Sequence, residues 1–92
     1  MKSKLKKLDI ADYLKSEADI NGFIALAVED GDPQLIAHAL GIAARAKNMT
    51  HIAKKAGMTR AGLYRALSGK TSPSFDTVIR VINALGLKLK IS

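Results

Sequence analysis

Apolar residues recur along most of this chain at the three- and four-residue intervals of helices, and the turn residues between them mark off five or six short segments. Asp9 is placed to cap a helix from about Ile10 to Ser16. Asp19 is placed to cap a second, in which Ile20, Phe23, Ile24, Ala27 and Val28 share one face before Gly31 stops it. Asp32-Pro33 opens a third, with proline at the first helical position, where a missing N–H leaves nothing unsatisfied. That helix turns Leu35, Ile36, Ala39, Leu40 and Ala43 inward and runs to about Lys47.

Beyond Asn48 the segments shorten. Thr50 is expected to cap a helix over His51 to Ala56, with Ile52, Ala53 and Ala56 inward, and Gly57 supplies the positive φ that ends it. Thr59 caps the next, Arg60 to Leu67, with Leu63, Ala66 and Leu67 inward. Ser68 to Pro73 has loop composition. Ser74 caps a final helix whose stripe is Phe75, Val78, Ile79, Ile82 and Leu85, stopped by Gly86. The tail changes period: Leu87, Leu89 and Ile91 alternate with Lys88 and Lys90, which predicts a strand over 87–92. A lone strand needs a partner, either the stretch from Leu5 to Asp9 or a second copy of the tail, so Leu87, Leu89 and Ile91 are candidates for a homodimer contact.

Ninety-two residues with 48% hydrophobic and 25% charged content describe one all-α globular domain. Within it, 1–32 reads as an N-terminal helical extension, 33–86 as the main bundle and 87–92 as the strand. The absence of Cys excludes disulfides, thiolate metal sites and cysteine nucleophiles and fits a reducing cytoplasm. Asp9, Asp12 and Lys15 interrupt the residues after the basic start, so neither a signal peptide nor a membrane span is expected. His38 stands alone among apolar residues, Asp30 and Asp32 lack the rest of a cation loop, and no hydroxyl has a paired base. An enzyme, a metal and a cofactor are therefore not expected.

Net charge is +7, unevenly placed. Residues 1–32 hold five Lys against seven acids, net −2, whereas 33–92 hold ten basic residues against Asp76 alone, net +9. Within 9–32 only Lys15 opposes the seven acids, a local −6. Such asymmetry points to one part that faces nucleic acid and another that meets a different partner.

Residues 49–68 carry the most specific pattern. Two short helices cross steeply only if their contact is small and the turn tight, which Ala53, Gly57, Met58 and Leu63 provide. This spacing resembles the helix-turn-helix of phage-repressor-like regulators of the XRE/HigA type. The segments Glu29 to Pro33, Ile42 to Lys47, Gly57 to Ser68, Pro73 to Phe75 and Ala84 to Leu89 are similar to the small antidote proteins of type II toxin-antitoxin (addiction) modules. That resemblance implies a ribonuclease-like toxin partner and repression of the module's own operator.

On the helix from Arg60, the inward set leaves Thr59, Arg60, Ala61, Tyr64, Arg65 and Ser68 outward. Arg60 and Arg65 have the bidentate donors that read guanine, Ala61 fits a thymine methyl, Tyr64 reaches the groove edge, and Gly62 permits close approach. Thr50, His51, Thr59, Ser68, Lys70, Thr71 and Ser72 are candidates for phosphate contact. In the acidic extension, Asp12, Glu17 and Asp19 with Tyr13, Leu14 and Phe23 form a candidate surface for a small basic toxin, with internal charge balance as the competing reading. A freestanding repressor without a toxin shares every DNA-facing residue. A protein-interaction module that keeps the fold without DNA binding also remains open.

Overall fold

Each helix begins where a side-chain oxygen meets the otherwise unbonded N–H groups of a first turn. The structure, a computed structural model, describes residues 9–70 and 72–87. Asp9 opens only a single 3₁₀ turn, Ile10–Tyr13, by accepting the Ala11 N–H. Ser16 caps α1 (Glu17–Asp30): its Oγ accepts the Asp19 N–H at 3.1 Å, and Asp19 Oδ2 accepts the Ser16 N–H at 3.2 Å. Asp19 is thus the third helical residue of a capping box and not the cap. Asp32 and Pro33 start α2 (Pro33–Lys47) as expected, with Asp32 Oδ1 accepting the Gln34 N–H at 3.0 Å.

Asn48 corrects the expectation at Thr50. Its N–H closes α2 on Ala44 O at 2.9 Å, while its Oδ1 accepts the His51 N–H at 3.0 Å and caps α3 (Met49–Lys55). One residue with φ 151° therefore ends one helix and begins the next, and α3 starts ahead of Thr50. Thr59 and Ser74 cap α4 (Arg60–Ala66) and α5 (Phe75–Ala84) through the Gly62 and Thr77 N–H groups.

The ends of α3 and α5 share one chemistry. Gly57 and Gly86 have φ of 73° and 82°, which lets Met58 and Leu87 fold back and donate N–H bonds to Ala53 O at 2.9 Å and Ile82 O at 3.0 Å. These are Schellman closures, each followed by an apolar residue packed on the core. Leu87 accordingly belongs to the end of α5 and not to a strand. No strand occurs among the described residues, and the remainder of the tail, Leu89 and Ile91 included, lies outside them.

Helix α2 receives the 3₁₀ turn, α1, α3 and α5, and α3 in turn carries α4 and α5. The centre is Leu40, Ile52, Leu63, Val81 and Leu85, each essentially sealed from solvent, and among the described residues no polar side chain is buried with them. Alanines at 39, 43, 44, 53 and 56 bring the helices close. Gly41 marks a close approach of backbones, since a Cβ there would lie 3.2 Å from Leu67 O. Leu35, Val28 and Phe75, expected inward, are exposed, Phe75 at 73%. The first turn of α5 extends past the core, so its stripe starts to pack only at Val78.

Asn48→Ala removes a cap from a seven-residue helix and leaves a Cβ-bearing residue at positive φ, so it is expected to cost about 1–2 kcal/mol by chemical denaturation. Asn48→Gly, which accepts that φ freely, is expected to cost only a few tenths of a kcal/mol. Equal losses would show that the backbone conformation at Asn48 contributes nothing.

Candidate nucleic-acid interface

Helix α4 is two turns long and has a sharply divided surface. Leu63 is fully buried and Leu67, just past its end, nearly so, while Arg60, Ala61, Tyr64 and Arg65 are exposed. Positions i, i+1, i+4 and i+5 form one stripe on a helix, so the four outward residues lie together on the side opposite the anchor. Ala66 is half-buried at the boundary. The helix is held at its start by Thr59 Oγ1 on the Gly62 N–H at 2.9 Å. A Cβ at Gly62 would sit 2.9 Å from that same oxygen, so the glycine makes room for the cap, a reason internal to the fold.

The polar residues around this stripe divide by what already holds them. Thr50, His51, Lys70 and Ser72 are exposed. His51 gives its N–H to Asn48, leaving the ring at the surface. Ser68 is half-buried; its Oγ donates to Arg65 O at 3.0 Å and accepts the Lys70 N–H at 3.3 Å, which ties the loop back onto the helix end. Thr71 lies outside the described residues.

An open groove of about 740 Å³ separates α4 from α2, bounded by His38, Gly41 and Arg45 on one side and by Ala61, Tyr64, Arg65 and Lys70 on the other. Arg45 also borders a recess shared with Arg60, Ala61 and Tyr64, and another shared with Asp9, Asp12, Thr50 and Arg60. The sequence reading gave this arginine no role. Its orientation depends on Asp9, 36 residues away, which no local spacing reveals. Arg45 donates to the Asp9 carboxylate through its two terminal guanidinium nitrogens, at 2.7 and 3.2 Å. That bidentate contact, followed by the Ala11 N–H, holds the Asp9 carboxyl below its ordinary range.

The acidic extension is partly engaged within the fold. Glu17 pairs with Lys47 at 3.3 Å, Asp19 completes the capping box and Asp32 caps α2. Asp12 and Tyr13 are exposed, Tyr13 at 61%, whereas Leu14 and Phe23 pack partly against the core. Glu17 and Asp19 remain exposed while so engaged. Among the described residues no group of three His, Cys, Asp or Glu side chains is placed to hold a metal, and no helix is long and apolar enough to cross a membrane.

The described residues form an all-helical bundle that presents a basic, short-helix face beside an acidic extension. In comparison with known families, residues 4–92 match the family described as "Probable addiction module antidote protein", and the chain belongs to it. An uncharacterized protein of Haemophilus influenzae is 43% identical over 91 residues, which cover 99% of this chain and 94% of that protein. No solved structure matches the chain. An antidote family implies a toxin as partner and suggests a regulatory role.

The Asp9–Arg45 contact generates a pH-dependent expectation. Because the folded-state pKa of Asp9 is depressed, its contribution is present above the unfolded value near 3.8 and is lost as pH falls through the folded value. Asp9→Asn, which still caps through Oδ1, should melt below the wild type at neutral pH, and the gap should close as pH drops below about 4. A gap independent of pH would show that the charge pair contributes nothing to it.

Proposed function

We propose that this chain is a DNA-binding antitoxin of the phage-repressor-like helix-turn-helix type, which as a homodimer represses the operon encoding it and neutralises a small basic toxin. The observation that carries the DNA-binding reading is the division of α4: Leu63 is sealed, and Arg60, Ala61, Tyr64 and Arg65 share its outward stripe. A helix of this width enters the major groove, where Arg60 and Arg65 meet guanine edges, Ala61 a thymine methyl and Tyr64 the groove wall. Thr50, His51, Lys70 and Ser72 flank the stripe as phosphate contacts. Thr59 joins them through its hydroxyl hydrogen, Ser68 on release of its bond to Arg65 O, and Thr71 by its residue type. Two such helices in a dimer would read half-sites about one helical turn apart.

The antidote family favours a toxin partner over a freestanding repressor. The surface offered to it is the 3₁₀ turn with Asp12 and exposed Tyr13, backed by Leu14, Phe23 and Glu17. Asp19 acts there through the capping box it completes with Ser16 and is best left intact in any test of charge.

Titration of operator and random duplexes separates reading from holding. Arg60→Ala is expected to lose about 1–3 kcal/mol on the operator and to relax one base position, while Lys70→Ala weakens both duplexes alike. Equal loss on both for Arg60→Ala would remove it from base recognition. For the toxin, Asp12→Lys should slow association with the co-expressed product of the neighbouring reading frame, most at low ionic strength, and Tyr13→Ala should lose about 1–2 kcal/mol of affinity. Unchanged rates and affinity with both variants would move the toxin surface elsewhere.

A further inference from the structure

We infer that Arg45 is a phosphate-binding residue of the nucleic-acid face, and that Asp9 occupies it in the free chain as an internal substitute for the phosphate. The inference rests on the DNA-binding reading and adds to it a residue and a competition. A carboxylate and a phosphate present the same pair of oxygens to a guanidinium edge, and Arg45 already spans one such pair with its two terminal nitrogens at 2.7 and 3.2 Å. The same edge cannot hold both. The pair is open to solvent, with side-chain exposures of 43% for Arg45 and 37% for Asp9, so an incoming strand can reach it without unfolding anything.

Position supplies the second argument. Arg45 stands at the end of α2, in one recess with Thr50 and Arg60 and in another with Ala61 and Tyr64, next to the stripe proposed to enter the groove. Asp9 and Asp12 border the first of these recesses, so carboxylates stand where a phosphate chain would pass. A strand seated on Thr50 and Arg60 meets Asp9 and Arg45 in the same recess, still paired with each other. Exchange of carboxylate for phosphate on Arg45, with the released Asp9 turned out to solvent away from the strand, adds a cation to the row. The 3₁₀ turn, anchored through Asp9, thereby becomes an element that DNA must shift, and occupancy of the turn and of the DNA face are coupled reciprocally.

The test is a titration of a short random-sequence duplex at several salt concentrations with wild type, Asp9→Asn, Arg45→Gln and the double variant. Each is checked for folding by its melting curve. Asp9→Asn keeps the cap on Ala11 and is expected to bind about 3–10-fold more tightly, with a salt slope steeper by up to about one phosphate. Arg45→Gln is expected to bind more weakly than the wild type. In the Arg45→Gln background, the Asp9 substitution is expected to change affinity by less than about twofold, because the two residues act as one unit. An equal gain in both backgrounds would make Asp9 a general repulsive charge and overturn the competition. No gain from Asp9→Asn, with operator specificity still dependent on Arg60, would overturn this inference alone. Absence of duplex binding by all four proteins would overturn it together with the DNA-binding reading.

Discussion

A helix of seven residues has no stability of its own in water, so everything proposed for Arg60, Ala61, Tyr64 and Arg65 depends on the burial of Leu63. Leu63 is sealed within one apolar cluster shared with residues of α2, α3 and α5, helices that pack closely on one another. That closeness is built from alanines at 39, 43, 44, 53 and 56, and from Gly41, which lies against the Leu67 carbonyl. The angle at which α4 leaves α3 is fixed by the fold-back at Gly57, where Met58 bonds to Ala53 and packs on the core. Propensity contributes little here. Side-chain size at the crossing and one left-handed residue orient the outward face.

Charge is arranged along the same frame. The last turn of α2 carries Arg45 and Lys47, where cations meet the negative end of the helix dipole. The extension returns Asp9 and Glu17 to those two residues. Part of the extension's acidity therefore serves to hold it against the bundle, and its capping acids serve the helices. Exposed pairs of this kind contribute little each to stability. Their larger consequence is positional: they set a negatively charged, apolar-tipped turn beside the basic face, so that a protein partner on the turn and a nucleic acid on α4 would be close neighbours.

Much of this was legible along the chain because the relevant signals are local. Pro33 after Asp32, Thr59 before Arg60, Ser74 before Phe75 and the glycines at 31, 57 and 86 each act within one turn, and each marks a helix end where expected. The misreadings have separate causes. Asp19 and Thr50 are good capping residues, but Ser16 and Asn48, three and two residues earlier, take the role, because a capping box puts an acid at its third helical position and because Asn48 tolerates a backbone that most residues resist. Phe75 fits the helical period yet lies beyond the core, which periodicity cannot register. Arg45 was invisible for a different reason: its partner is distant in sequence, and only the docking of the 3₁₀ turn on α2 brings the two together.

The central claim is that the outward stripe of α4 is where nucleic acid binds. Backbone amide shifts recorded during titration with an operator duplex test it most directly. The account predicts that the largest changes fall on Thr50, Arg60, Ala61, Tyr64, Arg65 and Lys70, with smaller ones at Asp9 and Arg45 and none along the outer face of α1 around Leu26. Changes concentrated on α1, with α4 silent at saturating duplex, would contradict it.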